Sequence, residues 1–131
     1  MKLNCECVRD VLFHLEDLLI CEEDNEGFSF ESVALDTLIE KMPNKYSRTE
    51  ILYTVYMLDD GDYIEAHFID ANSKMIDCII HSMTNEGHSF ADSLRSKKVF
   101  DKIKEILPIV SSATTIATAA FKLSMGIVTL L

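Results

Sequence analysis

Between Leu58 and Tyr63 the apolar residues stop recurring every three or four positions and begin to alternate. This change constrains the fold more than any other feature, because helices and strands bury residues at different periods. Before it, Ile51, Leu52, Val55 and Leu58 lie at helical spacing. Ser47-Arg48-Thr49-Glu50 fits a capping box, in which the Ser47 hydroxyl accepts from the Glu50 N–H. After it, Ile64, Ala66 and Phe68 alternate with Glu65 and His67, and Ile76, Cys78 and Ile80 alternate with Asp77 and His81. Ala71-Asn72-Ser73-Lys74 between these runs reads as a hairpin turn joining strands over 63–70 and 75–82, with one face buried. Gly61 is expected to end the preceding helix in the left-handed conformation.

Two more helices are expected upstream. Asn4 suits the cap of a helix over 4–20, with Val8, Val11, Leu12, Leu15, Leu18 and Leu19 on one side. A second helix over about 32–42 carries Val33, Leu35, Leu38, Ile39 and Met42 and stops at Pro43. Between them, Glu22–Glu26 reads as a solvated loop and Phe28-Ser29-Phe30 as a short extended segment. Downstream, Thr84 caps a helix running to Arg95, and Ser96 restarts the chain into another with Val99, Phe100, Ile103, Ile106 and Leu107 inward. Residues 109–131 continue in helical register past Pro108. Three helices followed by a hairpin is the winged-helix order, with the third helix in the recognition position. The fold class expected is therefore α+β, mostly α: a winged-helix-like domain over 1–107 and a C-terminal apolar helix over 108–131. A chain of 131 residues suits this size.

Several stretches resemble a prophage-associated, winged-helix-like family of unknown function from low-GC Gram-positive bacteria. They are Met1-Lys2-Leu3-Asn4, Cys7-Val8-Arg9-Asp10-Val11-Leu12, Phe28-Ser29-Phe30, Tyr46-Ser47 with Glu50-Ile51 and Tyr53, and Gly61-Asp62-Tyr63-Ile64. The most specific is Met83-Thr84-Asn85-Glu86-Gly87-His88-Ser89-Phe90, followed by Leu94-Arg95-Ser96 and Val99-Phe100. The resemblance covers roughly 1–107 and implies a phage-related origin. It brings no catalytic or ligand residues with it.

Charge argues against nucleic acid as the main partner. Residues 1–60 hold 5 basic and 14 acidic side chains, a balance of −9, and residues 61–131 hold 7 and 8, a balance of −1. Phosphate binding draws on Lys and Arg. The expected outward face of the third helix carries Thr49, Tyr53, Tyr56, Met57 and Asp60, which fits a protein partner better than base edges. The same residues could instead pack beneath neighbouring segments. A nucleic-acid contact would have to use Arg48, Lys74 at the wing tip, and Lys97, Lys98, Lys102 and Lys104.

No glycine-rich phosphate loop, nucleophile elbow or CxxC pair occurs, so neither enzyme activity nor a cofactor is expected. Cys5 and Cys7 stand two apart on a helix and do not share a face, so no metal is expected there. His88 is expected to pack rather than react. The charged, polar start and the four cysteines fit free thiols and a cytoplasmic location.

The last 23 residues carry the strongest functional clue. Ile109, Ala113, Ile116, Ala120, Leu123, Ile127 and Leu130 recur by four and three, a heptad seam. Self-association through that seam is the first reading. Membrane insertion is the second, because the length fits but seven Ser and Thr residues do not. A helix lying back across its own domain is the third. The functional expectation is a non-enzymatic interaction or regulatory protein that forms a homo-oligomer and binds a protein partner. The alternatives are a winged-helix DNA-binding regulator and a membrane-acting effector.

Overall fold

Asn4 both ends a short strand, β1 (Leu3–Asn4), and caps the first helix, α1 (Cys5–Leu18). Its side-chain oxygen accepts from the Glu6 and Cys7 N–H groups at 2.8 and 3.4 Å. The computed structural model describes residues 1–126. Cys7, Val8, Val11, Leu12 and Leu15 are wholly buried, because α1 is the helix around which the others pack.

The acidic stretch after α1 is a strand rather than a loop. β2 (Cys21–Asp24) pairs antiparallel with β3 (Gly27–Phe30), with Cys21 opposite Phe30 and Glu23 opposite Phe28. Its sequence shows no half-buried alternation because the hairpin has no buried face: every residue from 20 to 32 is exposed. A third short strand, β4 (Val33–Ala34), occupies residues expected to begin the second helix, so α2 spans only Leu35–Lys41.

The third helix, α3 (Arg48–Asp60), starts as the capping box predicts, with Ser47 Oγ accepting from the Glu50 N–H at 3.1 Å. Its end differs. Gly61 has φ −85°, and the left-handed position falls on Asp62 at φ +64°. Gly61 is instead required for space, since a Cβ there would lie 2.7 Å from the Tyr63 ring.

β5 (Ile64–Ala71) and β6 (Lys74–Met83) form the expected hairpin. Asn72 and Ser73, both at positive φ, make a two-residue turn whose twist suits the strands. β4 pairs along the other edge of β6, with Val33 opposite Ile80, which gives a sheet of order β4-β6-β5.

α4 (Asn85–Ser93) and α5 (Lys97–Ile106) begin at Thr84 and Ser96, each of which accepts from the N–H three residues on. Residues 109–126 are not one helix. Pro108 lacks an N–H, and its carbonyl accepts from the Cys5 N–H at 2.9 Å. β7 (Ile109–Val110) then pairs with β1, and Ser112 caps a separate helix, α6 (Ala113–Ser124). α6 packs on α4 and α5, and Val110, Ala113, Ile116, Ala119 and Ala120 join the same core as Leu3, Val11 and Leu58. The expected boundary between 107 and 108 therefore coincides with no break in packing. The described part of the chain is an α+β unit with six helices and small sheets. Among the described residues no helix is long and apolar enough to cross a membrane.

Candidate functional site

α3 buries Ile51, Leu52, Thr54, Val55 and Leu58 and turns its opposite face away from the core. Of the five residues expected on that face, Thr49, Tyr56 and Asp60 are exposed, while Tyr53 and Met57 are half-buried. The Tyr53 hydroxyl donates to the Met1 carbonyl at 3.0 Å, so this side of α3 is covered by the N-terminal segment. Tyr56 is 40% exposed and meets Phe68 of β5 edge to face, with ring centroids 5.5 Å apart. An α3 side chain and a hairpin side chain thus form one aromatic surface. Phe68 escaped the sequence reading because its alternation marked it only as core. It faces inward opposite Cys78, but near the hairpin's far end, where the core thins.

The electrostatics of this face are acidic. α3, β5 and β6 carry Glu50, Asp59, Asp60, Glu65, Asp70 and Asp77 against Arg48 and Lys74. Arg48 is committed within the chain. Its guanidinium pairs with Asp36 of α2, donates to the Ile76 carbonyl at 3.1 Å and lies 3.6 Å from Asp77. It clamps α2, α3 and β6 together. Asp59 is also used structurally, accepting from the Ala66 N–H at 3.0 Å beside an irregularity in the β5–β6 register. Lys74 stands exposed beside the turn.

The basic stretch expected on α5 does not form a continuous patch. Lys97 pairs with Asp101 at 2.8 Å, and Lys104 pairs with Glu6 of α1. Arg95, just before α5, bridges Glu16 and Asp92. Among the described residues only Lys98 and Lys102 of this group lack an acidic partner. Glu6, held by Lys104 and Lys45, has its carboxyl drawn down to about 2. These pairs tie α1 to α5 and to the segment before α3.

The C-terminal seam is largely spent on the chain itself. Ala113, Ile116 and Ala120 are buried and Leu123 is half-buried, while Ile109 is exposed and paired with Asn4. Ile127 and Leu130 lie outside the described residues. The physical reason is that α4 and α5 offer an apolar surface to the same stripe that a second helix would cover.

The segments that carry the family resemblance meet in one structural knot. Ile64 pairs with Met83, the Thr84 N–H donates to the Tyr63 carbonyl at 3.1 Å, and Thr84 Oγ1 donates to the Asp62 carbonyl at 2.7 Å. The Tyr63 and Phe90 rings lie 5.0 Å apart, and Gly87 lets α4 approach the Tyr63 backbone. His88 Nδ1 lies 3.0 Å from Glu16 Oε2 at the surface. Among the described residues no group of three or more His, Cys, Asp or Glu side chains gathers as metal ligands would.

No curated protein matches this sequence, and no solved structure does. Residues 2–113, from β1 to the first residue of α6, match a family described as hypothetical protein, DUF2513. The match takes in the knot, the capping box and the hairpin, and on it the chain belongs to the DUF2513 family of hypothetical proteins.

Proposed function

We propose that this protein is a non-enzymatic module of winged-helix type that binds a protein partner through α3 and the β5–β6 hairpin. The fold reading is supported by the order α1, β4, α2, α3, β5, β6 and by a sheet in which β4 and β5 flank β6. In that arrangement α3 takes the recognition position and the hairpin is the wing. The observation that carries the choice of partner is Arg48. The only cation on α3 is bound by Asp36, Ile76 and Asp77, while Tyr56 and Phe68 present an aromatic surface amid carboxylates. Such a face suits an apolar and cationic protein surface and repels phosphates.

Self-association through residues 109–130 loses its main support, because three of the seam residues are buried within the chain. The membrane reading rested on the same stretch. The DNA-binding reading keeps one favourable observation, the helix order itself.

Two measurements decide between protein and DNA. Titration of duplex DNA at low salt is expected to give flat curves, whereas saturable, salt-dependent binding weakened by Arg48→Ala or Lys74→Ala would install the DNA reading. Crosslinked capture from cell extract is expected to yield a protein that wild type retains and Tyr56→Ser loses on the order of tenfold, as an exposed aromatic anchor should. Capture unchanged by Tyr56→Ser would sink the assignment of this face.

A further inference from the structure

The β2–β3 hairpin is an arm that no other element covers among the described residues. Phe28 is 70% exposed and Phe30 47% exposed, and the two rings touch edge to face with centroids 6.1 Å apart. The register puts Phe28, Phe30, Cys21 and Glu23 on one face of the arm. Glu22, Glu23, Asp24 and Glu26 have no cationic partner among the described residues. A two-stranded hairpin standing alone in water is marginal, and exposed paired aromatics add to the cost. The arm is tied down only at its base, where Ser32 Oγ lies 2.9 Å from His81 Nδ1 and the Glu31 N–H donates to the Ile20 carbonyl at 2.8 Å.

A surface with the complementary properties lies elsewhere on the molecule. Among the described residues, an open groove of about 1020 Å³ runs along α5 beside the end of α6. Val99, 8% exposed, lies at its floor and half-buried Leu123 in its wall, and Lys98 and Lys102, one helical turn apart, have no acidic partner among the described residues. Asp101 and Asp92 in the same wall are already neutralised by Lys97 and Arg95, which among the described residues leaves Glu105 as the wall's one unpaired carboxylate.

We propose that the β2–β3 arm docks into the α5–α6 groove of a second copy of this chain. Phe28 and Phe30 lie against Val99 and Leu123, and Glu23 and Glu26 face Lys98 and Lys102. Two such contacts related by a two-fold axis close a dimer, each copy giving an arm and receiving one. This contact is independent of the α3–hairpin face and of the buried seam residues Ala113, Ile116 and Ala120, and it shares only half-buried Leu123 with the seam.

Sedimentation equilibrium on the full chain over a concentration series tests it. The expected result is a reversible monomer–dimer equilibrium that weakens as salt rises. Phe28→Ser with Phe30→Ser is expected to weaken the dimer on the order of 100-fold, because two aromatic anchors are lost. Their melting temperature should stay at the wild-type value, since among the described residues both rings are exposed and touch only their own hairpin. Lys98→Glu with Lys102→Glu should also dissociate the dimer, as should Glu23→Lys with Glu26→Lys. Combining the two reversals in one chain should restore association to within about tenfold of wild type. A wild-type chain that stays monomeric throughout overturns the second copy as occupant and leaves the arm to a different cation-bearing protein. A dimer indifferent to the arm substitutions, or reversals that fail to rescue each other, overturns the contact.

Discussion

At Gly87 a Cβ atom would lie 1.9 Å from the Tyr63 carbonyl oxygen, which already accepts from the Thr84 N–H. The obstacle is backbone, so relief requires moving α4 away from β5. Gly87→Ala is expected to cost about 3 kcal/mol, at the upper end for overpacking. A chemical denaturation midpoint reads this, and an unchanged midpoint would mean that α4 shifts freely. The cysteines give a second residue-scale prediction. Burial pushes the Cys7 and Cys78 thiols up to about 12 and raises Cys5, whereas Cys21 stands exposed on the arm. Thiolates are the reactive form. At concentrations low enough to keep the chain monomeric, a thiol reagent is expected to label Cys21 rapidly and the other three only after unfolding, and Cys21→Ser should abolish the fast phase. Thr84, Ser47 and Asn4 were legible as caps because a cap is satisfied by residues two or three positions away. The left-handed residue after α3 was not. Glycine is only the commonest occupant of that conformation, and here the Tyr63 ring claims the space beside Gly61 while Asp62 takes the turn.

Among the elements, α1 is held by charge as well as by its apolar face. Glu6 binds Lys104 of α5 and Lys45 ahead of α3, and these pairs lower its carboxyl pKa to about 2. The folded carboxylate therefore holds on to fewer protons than the unfolded one between about 4.5 and about 2. Its contribution is fully present above that window and is lost as pH falls through it. Glu6→Gln is expected to be less stable than wild type at neutral pH and to converge on it near pH 2. Urea melts across that range measure the difference, and a gap independent of pH would mean the pairs do not couple to folding. The strands show why element boundaries were only partly readable. β5 and β6 have one buried face and alternate visibly. β2 and β3 have none, so Glu22–Glu26 reads as an ordinary acidic loop. β4, β1 and β7 are two residues each, too short to display any period, and exist because a distant strand pairs with them.

At the scale of the whole molecule, the C-terminal segment completes the core. Ile116 is fully buried among residues from α4, α5 and the N-terminal half. Ile116→Ala is expected to cost roughly 2–5 kcal/mol in stability, read by thermal or urea unfolding. For the same reason, a chain ending at 108 should be destabilised rather than yield a well-behaved monomer. The candidate site divides in the same way. That α3 would present Tyr56 and Asp60 outward follows from the spacing of Ile51, Leu52, Val55 and Leu58. That Arg48 is unavailable and that Phe68 meets Tyr56 follows from α2 and the hairpin folding against α3.

Helix types, caps, the hairpin turn and the acidic balance are local quantities, written in residues a few positions apart, and they could be read from the chain directly. Which surface covers an apolar stripe is not local. The spacing of Ala113, Ile116 and Ala120 satisfies a seam against a second copy and a seat on α4 and α5 equally well. The tertiary structure decided between them, because α4 and α5 already stood beside α6 on the same chain and could be covered without the entropy of bringing two molecules together.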